Sequence, residues 1–370
     1  MAITHGVNIS VGAAQAQPQL TSPAVVAIAG TGSGGSAILN TPTVVRSVAE
    51  ATTRFGTGSL LNACKAIFSQ AECIVIGSVQ SGTTPANTVV AVQALEGAEP
   101  ATGYRPDYID APGLTVNTPA DNLVNVVATQ LQTTADKLRA IAYVKASNHG
   151  ASPAIAITNY TAWRAANTGT NLVPIPQDVT IVDGAGTLEV PGSALLLGLR
   201  ARLDGERRFG YGRSISSKPV TGVSSVSPAY SFALDSPTQA QALSTALATI
   251  FVQDAGIWEA FGGWSNFAED SGQRVEHALN IVNHIYRRAN RIFKRVIDDS
   301  VTENFVDVVV ETLQDYFTGL IAAGLLRDGT ARPNAALNTP TNLRAGNVSL
   351  TADILIAGVA RRINLNMTLG

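Results

Sequence analysis

The sequence predicts an α/β protein: a mainly parallel-sheet core, an α+β C-terminal part with long helices, and extended strands at both termini. Three observations predict it. Short apolar runs such as Ala24–Ala29 and Cys73–Gly77 alternate with helical patterns through the first two-thirds of the chain. Two long amphipathic segments follow, at 273–300 and 302–326. Strict alternation marks both ends, where Val7, Ile9 and Val11, and then Ile363, Leu365, Met367 and Leu369, stand at every second position. Period two places each such set on one face of a strand.

The elements follow in order. The first strand also includes Ile3 and His5, and runs into a polar linker from Gly12 to Thr21. Ala24–Ala29 is a buried strand, and Pro42–Thr53 reads as a short helix with Val44, Val45 and Val48 on one side. Ser59–Phe68 is a helix and Cys73–Gly77 a buried strand. Leu123–Leu131 and Thr133–Arg139 are helical and precede the strand Ala140–Val144. Ala154–Ile157 and Asp178–Val182 are short strands, Ser193–Leu203 is a helix, and Ala240–Val252 is helical. Strands alternating with helices imply a parallel sheet covered on both faces. From Gly205 to Asp235, glycines and prolines interrupt every few residues, which leaves only short β pieces around Val220, Val223 and Val226.

The helix 273–300 sets Ile281, Ile285, Ala289, Ile292 and Val296 on one face. At 100° per residue, Arg287, Arg288, Arg291, Lys294 and Arg295 share an arc on the other side. The helix 302–326 carries an apolar face and an acidic stripe of Glu303, Asp307, Glu311 and Asp315. That stripe offers one use for the basic face, by pairing within the subunit; an external partner is the other.

Composition narrows the function. Of 370 residues, 45% are hydrophobic and only 14% charged, where about 25% is usual. Net charge is −2, so the whole chain is no nucleic-acid binder. Nor is it disordered. No apolar run reaches the ~18 residues that span a bilayer, and Met1–His5 shows no secretion signal. Cys64 and Cys73 make neither a disulfide framework nor a zinc site. Residues 1–45 contain no charged side chain, whereas residues 271–328 hold fifteen. Either the N-terminal part is buried within the subunit, or other copies of the chain cover a charge-poor surface.

The best enzymatic lead is Gly30-Thr31-Gly32-Ser33-Gly34-Gly35, a G-x-G-x-x-G directly after a strand, with Glu50 twenty residues on. A dinucleotide site needs a helix opening at the glycines. Asn40-Thr41-Pro42 interrupts that helix, and Glu50 falls inside one. His277 and His284 can share a helix face but lack a third ligand. Ser193 lacks the G-x-S-x-G elbow and suits a helix N-terminus. Asp178, Asp183 and Asp204 are dispersed near strand ends and turns. No catalytic constellation, cofactor or metal is expected.

Several stretches together resemble the tail sheath proteins of contractile phage tails and related injection machines. They are Thr4-His5-Gly6-Val7, Leu39–Val45 followed by Arg54-Phe55-Gly56, Val190–Leu199 with Ala201–Asp204, Ser217–Val223, Ile285–Arg288 with Asp298–Val301, and Leu320–Gly329. Order and spacing carry the likeness. Where many relatives have Trp-Gly and an Arg-Thr pair, this chain has Ile257–Trp264. The resemblance implies a structural subunit of hexameric rings stacked around a tail tube, which contracts to drive the tube through the host envelope without consuming nucleotide. It implies an N-terminal arm and linker at 1–22, a core at 23–270, an assembly domain facing the tube at 271–359, and an arm strand at 360–370. Val7, Ile9, Val11, Ile363, Leu365, Met367 and Leu369 would then join neighbouring subunits by strand addition. Arg287, Arg288, Arg291, Lys294 and Arg295 would face the tube. Its implied partners are further copies of the chain, the tube, the baseplate and the terminator, with neither nucleic acid nor membrane insertion. The implied location is the virion tail, assembled in the host cytoplasm. The competing reading is a doubly wound α/β enzyme with a dinucleotide at Gly30–Gly35.

Overall fold

The computed structural model describes residues 24–116, 123–147, 152–233, 237–267, 272–296 and 303–359, without the side chains of 295, 296, 303 and 304. The terminal strands expected at Val7–Val11 and Ile363–Leu369 lie outside these residues.

Six strands form the central sheet: β1 (Val25–Gly30), β2 (Thr43–Val45), β3 (Ile74–Val79), β4 (Tyr108–Asp110), β5 (Ile141–Lys145) and β6 (Leu172–Ile175). Their order is β2-β3-β1-β4-β5-β6. Every pair is parallel except β2, which runs antiparallel to β3. Alternation along β1 sends Val26 and Ile28 to one core and Val25, Ala27 and Ala29 to the other. A strand buried on both faces reads as a continuous apolar run.

Helices cover both faces: α1 (Val48–Phe55), α2 (Ser59–Phe68), α3 (Pro85–Ala94), α4 (Val126–Leu138), α5 (Pro153–Ala166) and α6 (Gly192–Gly205). Helices α2 and α6 pack into one core, and α3, α4 and α5 into the other. Helix α6 is buried on nearly all sides, including Leu195, Leu196, Leu197 and Leu199. Each such leucine contributes about 1.5–3 kcal/mol. A Cβ on Gly198 would lie 2.6 Å from the Ile67 carbonyl, so the α2 and α6 backbones touch there. Beside the core, β7 (Asp178–Asp183), β8 (Gly186–Pro191) and β9 (Val223–Ser227) form an antiparallel sheet in the order β8-β7-β9. A third sheet pairs β10 (Ile250–Asp254) with β11 (Ile257–Phe261), after the short helix α7 (Gln239–Thr245).

Three expectations are corrected. Pro42–Thr53 is not one helix: Val44 and Val45 pair with Ile76 and Val75 as strand β2. Helix α1 starts only at Val48, where Ser47 accepts from the Glu50 amide and Glu50 accepts from the Arg46 amide. These two side-chain caps fix the boundary. Ala154–Ile157 is not a strand but the first turns of α5, opened by the Ser152 cap and Pro153. Ala240–Val252 breaks at Leu247, whose φ of 62° ends the helical path, and the remainder is β10.

The C-terminal part has two long helices, α8 (Glu276–Val296) and α9 (Glu303–Ala322), and a hairpin of β12 (Leu326–Pro333) and β13 (Leu350–Ile356). The second expected helix stops at Ala322 because Gly324 takes φ +74° and the chain then enters β12. Ile281, Ile292, Leu313, Phe317, Leu320, Leu325 and Leu326 form a third, smaller core.

Candidate assembly site

The glycine loop is filled by the chain itself. The Thr31 hydroxyl and carbonyl accept the Ser59 and Leu60 amides, at 3.0 and 3.2 Å, at the start of α2. Those amides are the donors that would hold a phosphate. A Cβ on Gly30 would meet the Ser59 hydroxyl at 2.5 Å, and one on Gly32 the Phe55 carbonyl at 2.7 Å. The glycines therefore permit close approach of the 54–59 segment, and Glu50 is occupied as a helix cap. Among the described residues, no cluster of His, Cys, Asp or Glu could hold a metal. His277 lies against the Ala357 carbonyl at 3.4 Å, and His284 stacks on Tyr211 with ring centres 3.8 Å apart. Burial pulls the His284 imidazole down to about 4. Cys64 and Cys73 are buried and reduced, and burial pushes the Cys73 thiol up to about 12. Asp178 and Asp183 are held by Lys145 and Lys65 in ion pairs of 2.5 and 2.6 Å.

Sequence periodicity missed a buried polar stripe on α8. Arg200, fully buried on α6, pairs with Asp204 at 2.6 Å and reaches Glu276 of α8 at 3.5 Å. It also donates to the carbonyls of Gly210 and Arg213. The Tyr143 hydroxyl donates to Glu276 at 2.7 Å, the Tyr108 hydroxyl donates to Asp204 at 2.6 Å, and the Asn280 amide donates to the Tyr108 oxygen at 2.7 Å. Burial pushes the Asp204 and Glu276 carboxyls up, against the pull of Arg200. Glu276, Asn280, His284 and Arg287 recur at the spacing of one helix face, and that spacing was the available signal.

Arg287 corrects the outward-facing assignment. It is buried, pairs with Asp107, and donates to the Pro106 carbonyl. The face of α8 that meets the core is wider than its apolar residues, and Arg287 lies at its margin. Arg288, Arg291 and Lys294 are exposed, as are Asp307, Glu311 and Asp315 on α9. Among the described residues, no ion pair joins these two sets. Arg288 instead lies over the Tyr316 ring, 5.8 Å from its centre. The side chains of Arg295 and Glu303 lie outside the description.

The hairpin rests on α9. Gly329 packs against Phe317, while Ile354 and Ile356 turn toward the small core. The Gln314 amide donates to the Gly329 carbonyl and accepts from the Ala331 amide, both at 2.9 Å. Gly329 and Ala331 therefore face their backbone groups away from β13. Their cross-strand partners, Ile354 and Ala352, face theirs away from β12. No other described strand pairs with that β13 edge. Beside it lies an apolar groove of about 1170 Å³, lined by Tyr286, Phe293, Phe305, Val309, Leu350 and Ile354 among others. An open edge above an apolar floor can take up a strand.

The comparisons with known proteins point the same way. No family model matches the chain. It is 26% identical over 373 residues to a protein of Pseudomonas aeruginosa (strain UCBPP-PA14) described as a prophage major tail sheath protein, covering 94% of this chain and 92% of the relative. The chain is thus similar in sequence, along most of its length, to a protein described as a prophage tail sheath. In structure it matches the sheath of an extracellular contractile injection system (PVC) in the contracted state, with TM-score 0.72, 14% identity, and 100% and 98% of the two chains covered. The contracted helical sheath of the anti-feeding prophage gives TM-score 0.69 at 14% identity, covering 100% and 99%. A sheath tail protein of Desulfitobacterium hafniense gives 0.59 at 12%, covering 88% and 93%. All four of these proteins are described as sheath proteins.

Proposed function

We propose that the chain is the subunit of a contractile sheath, polymerised as stacked hexameric rings around a tail tube and contracting to drive that tube through a host envelope. The observation that carries the reading is the β12–β13 hairpin, which offers an open strand edge beside an apolar groove in a fold shared with sheath proteins along its whole length. Residues 1–22 and 360–370 serve as arms that add strands to sheets of neighbouring copies. Residues 23–270 form the core, and 271–359 carry the hairpin and face the tube. Baseplate and terminator proteins close the two ends of the polymer, which belongs to a virion tail or a tail-like particle assembled in the host cytoplasm. Arg288, Arg291, Lys294 and Arg295 supply the tube contact, with Arg287 no longer among them. Exposed ion pairs of about 0–1 kcal/mol each, repeated along a tube, hold firmly yet release.

Electron microscopy of the chain co-expressed with its tube protein tests the reading, with long hollow cylinders as the expected product. Deleting 1–12 or 360–370 leaves a folded subunit that forms none. Full-length cylinders from either truncation would refute the arm assignment at that end. Reversing Arg288, Arg291 and Lys294 to Glu leaves folding intact and abolishes assembly around the tube; normal decoration of tubes would overturn the tube-facing assignment.

A further inference from the structure

The acidic stripe of α9 has no use in the reading above. Asp307, Glu311 and Asp315 are exposed, and no ion pair among the described residues includes them. At 100° per residue they fall within an arc of about 80°. That arc is turned away from Leu313, Phe317 and Leu320, which face the small core. The stripe therefore points out of the subunit.

Three exposed arginines border the other side of the same core. Arg207 and Arg208 stand in the turn after α6, and Arg208 lies over the Phe209 ring, 4.7 Å from its centre. Phe209 and Tyr211 pack on the small core, and a Cβ on Gly212 would meet the Leu325 side chain at 2.6 Å. Arg327 directly follows Leu326 of that core. The acids beside these arginines are engaged elsewhere. Glu206 pairs with Arg213 and Arg202, and Asp328 accepts from the Gly329 amide at 2.8 Å. No ion pair among the described residues includes Arg207, Arg208 or Arg327. The turn meets α9 on the flank away from the stripe, where the Tyr211 and Tyr316 hydroxyls lie 3.5 Å apart. The fold thus holds two opposite charge sets apart within one copy.

We propose that the α9 stripe of one copy docks on the Arg207, Arg208 and Arg327 patch of the next. The inference rests on the sheath reading above, and adds to it a side-chain contact separate from the terminal arms. A second copy is the occupant because the two patches match in number and oppose in charge. Each copy then gives acids to one neighbour and arginines to another. Such a head-to-tail contact leaves one patch of each kind open, so it continues from copy to copy. The α8 face of Arg288, Arg291 and Lys294 is engaged by the tube on the same reading, and is not the partner of the stripe. Exposed ion pairs are individually weak and screened by salt, so the contact gains its strength by repetition in a lattice.

The test measures the concentration at which the full-length subunit forms cylinders, with and without tube protein, at low and high salt. Sedimentation and electron microscopy read it. Reversing the acids (Asp307→Lys, Glu311→Lys, Asp315→Lys) or the arginines (Arg207→Glu, Arg208→Glu, Arg327→Glu) raises that concentration by about tenfold or more at low salt. An equal mixture of the two variants, and a chain carrying all six changes, return to within about twofold of the parent, because complementarity is restored. Neutral changes (Asp307→Asn, Glu311→Gln, Asp315→Asn) give a smaller rise that high salt no longer alters, and cover the case in which reversal disturbs folding. Recovery in neither the mixture nor the six-change chain overturns the contact. So does an acid reversal that builds tube-free sheath like the parent but no longer decorates tubes, which would give the stripe to the tube. A parent that forms no cylinders under any of these conditions sinks the sheath reading itself.

Discussion

The central sheet and the C-terminal hairpin end in opposite ways. At the far edge of the central sheet, β6 is covered by the chain's own backbone: Thr249 donates to the Pro174 carbonyl and Asn266 to the Leu172 carbonyl. At β13 no strand among the described residues covers the comparable groups of Ala352 and Ile354. The central sheet is also locked by buried charge, whereas the hairpin's exposed face carries a solvent-facing pair, Arg332 with Asp353, at 2.8 Å. An edge strand left uncovered invites pairing with another chain. One region is built to be complete, and the other to be completed.

Four changes break or sharpen that contrast. The largest effect is expected at Arg200. Arg200→Ala leaves Asp204 and Glu276 buried without their cation, and costs about 3–5 kcal/mol of subunit stability. Thermal unfolding reads this directly, and a variant as stable as the parent would mean the central region is not locked by charge.

Asp110 comes next. It closes β4 and is fully buried, with only the Ser193 hydroxyl and the Ala111 amide beside its carboxylate among the described residues. Burial holds its carboxyl well above the ordinary range. A raised folded-state value means that its contribution is full below about pH 3.9, the unfolded value, and is lost as pH rises. Asp110→Asn is therefore expected to stabilise the subunit at pH 7 by about 1–3 kcal/mol, and the gain should shrink toward pH 4. Denaturant melts across that range decide it; a loss at pH 7 would show that the carboxylate form is the one used.

His284 behaves in the opposite sense. Its folded value near 4 lies below the ordinary 6.5, so its contribution is full above pH 6.5 and is lost as pH falls toward 4. The parent should lose about 1–3 kcal/mol more than His284→Phe between pH 7 and pH 4.5. Equal losses would show that the ring protonates without cost where it stacks on Tyr211.

The smallest change in stability accompanies the most complete loss of assembly. Ala352→Pro removes an N–H that points away from β12, and should alter subunit stability by about 1 kcal/mol or less while abolishing cylinders. Asp353→Pro, one residue on, removes an inward N–H and should unravel the hairpin. Cylinders from Ala352→Pro would place the receiving edge elsewhere.

The sequence reveals the two regions unequally. Helix α2 is read with its observed ends, since Gly58 precedes a regular apolar face and no breaker falls within it. Val44 and Val45 are misread because two β-branched residues beside a true helix start fit either period. Ala154–Ile157 is a run too short to distinguish strand from helix without crediting the Ser152-Pro153 start. The polar stripe of α8 escapes because apolar periodicity does not register buried polar residues. It also explains Arg287, whose neighbours on the helix are solvated while its own guanidinium is claimed by Asp107 and two carbonyls. The open edge of β13 could not be read at all. Which backbone groups of a strand lack partners depends on what folds beside it, and no residue type records that.

The anchoring of α8 has a mechanical consequence. Glu276, Asn280 and Arg287 fasten the helix to the core at three points along twelve residues, a span of about 16 Å. The far side of the same helix carries the hairpin through the small core. A pull on β13 has no hinge to dissipate it along this helix. It passes into α8 as a bending load and reaches the central sheet at Asp107, Tyr108 and Tyr143. On the sheath reading proposed above, the subunit would turn as one stiff lever, with the hairpin as its loaded end.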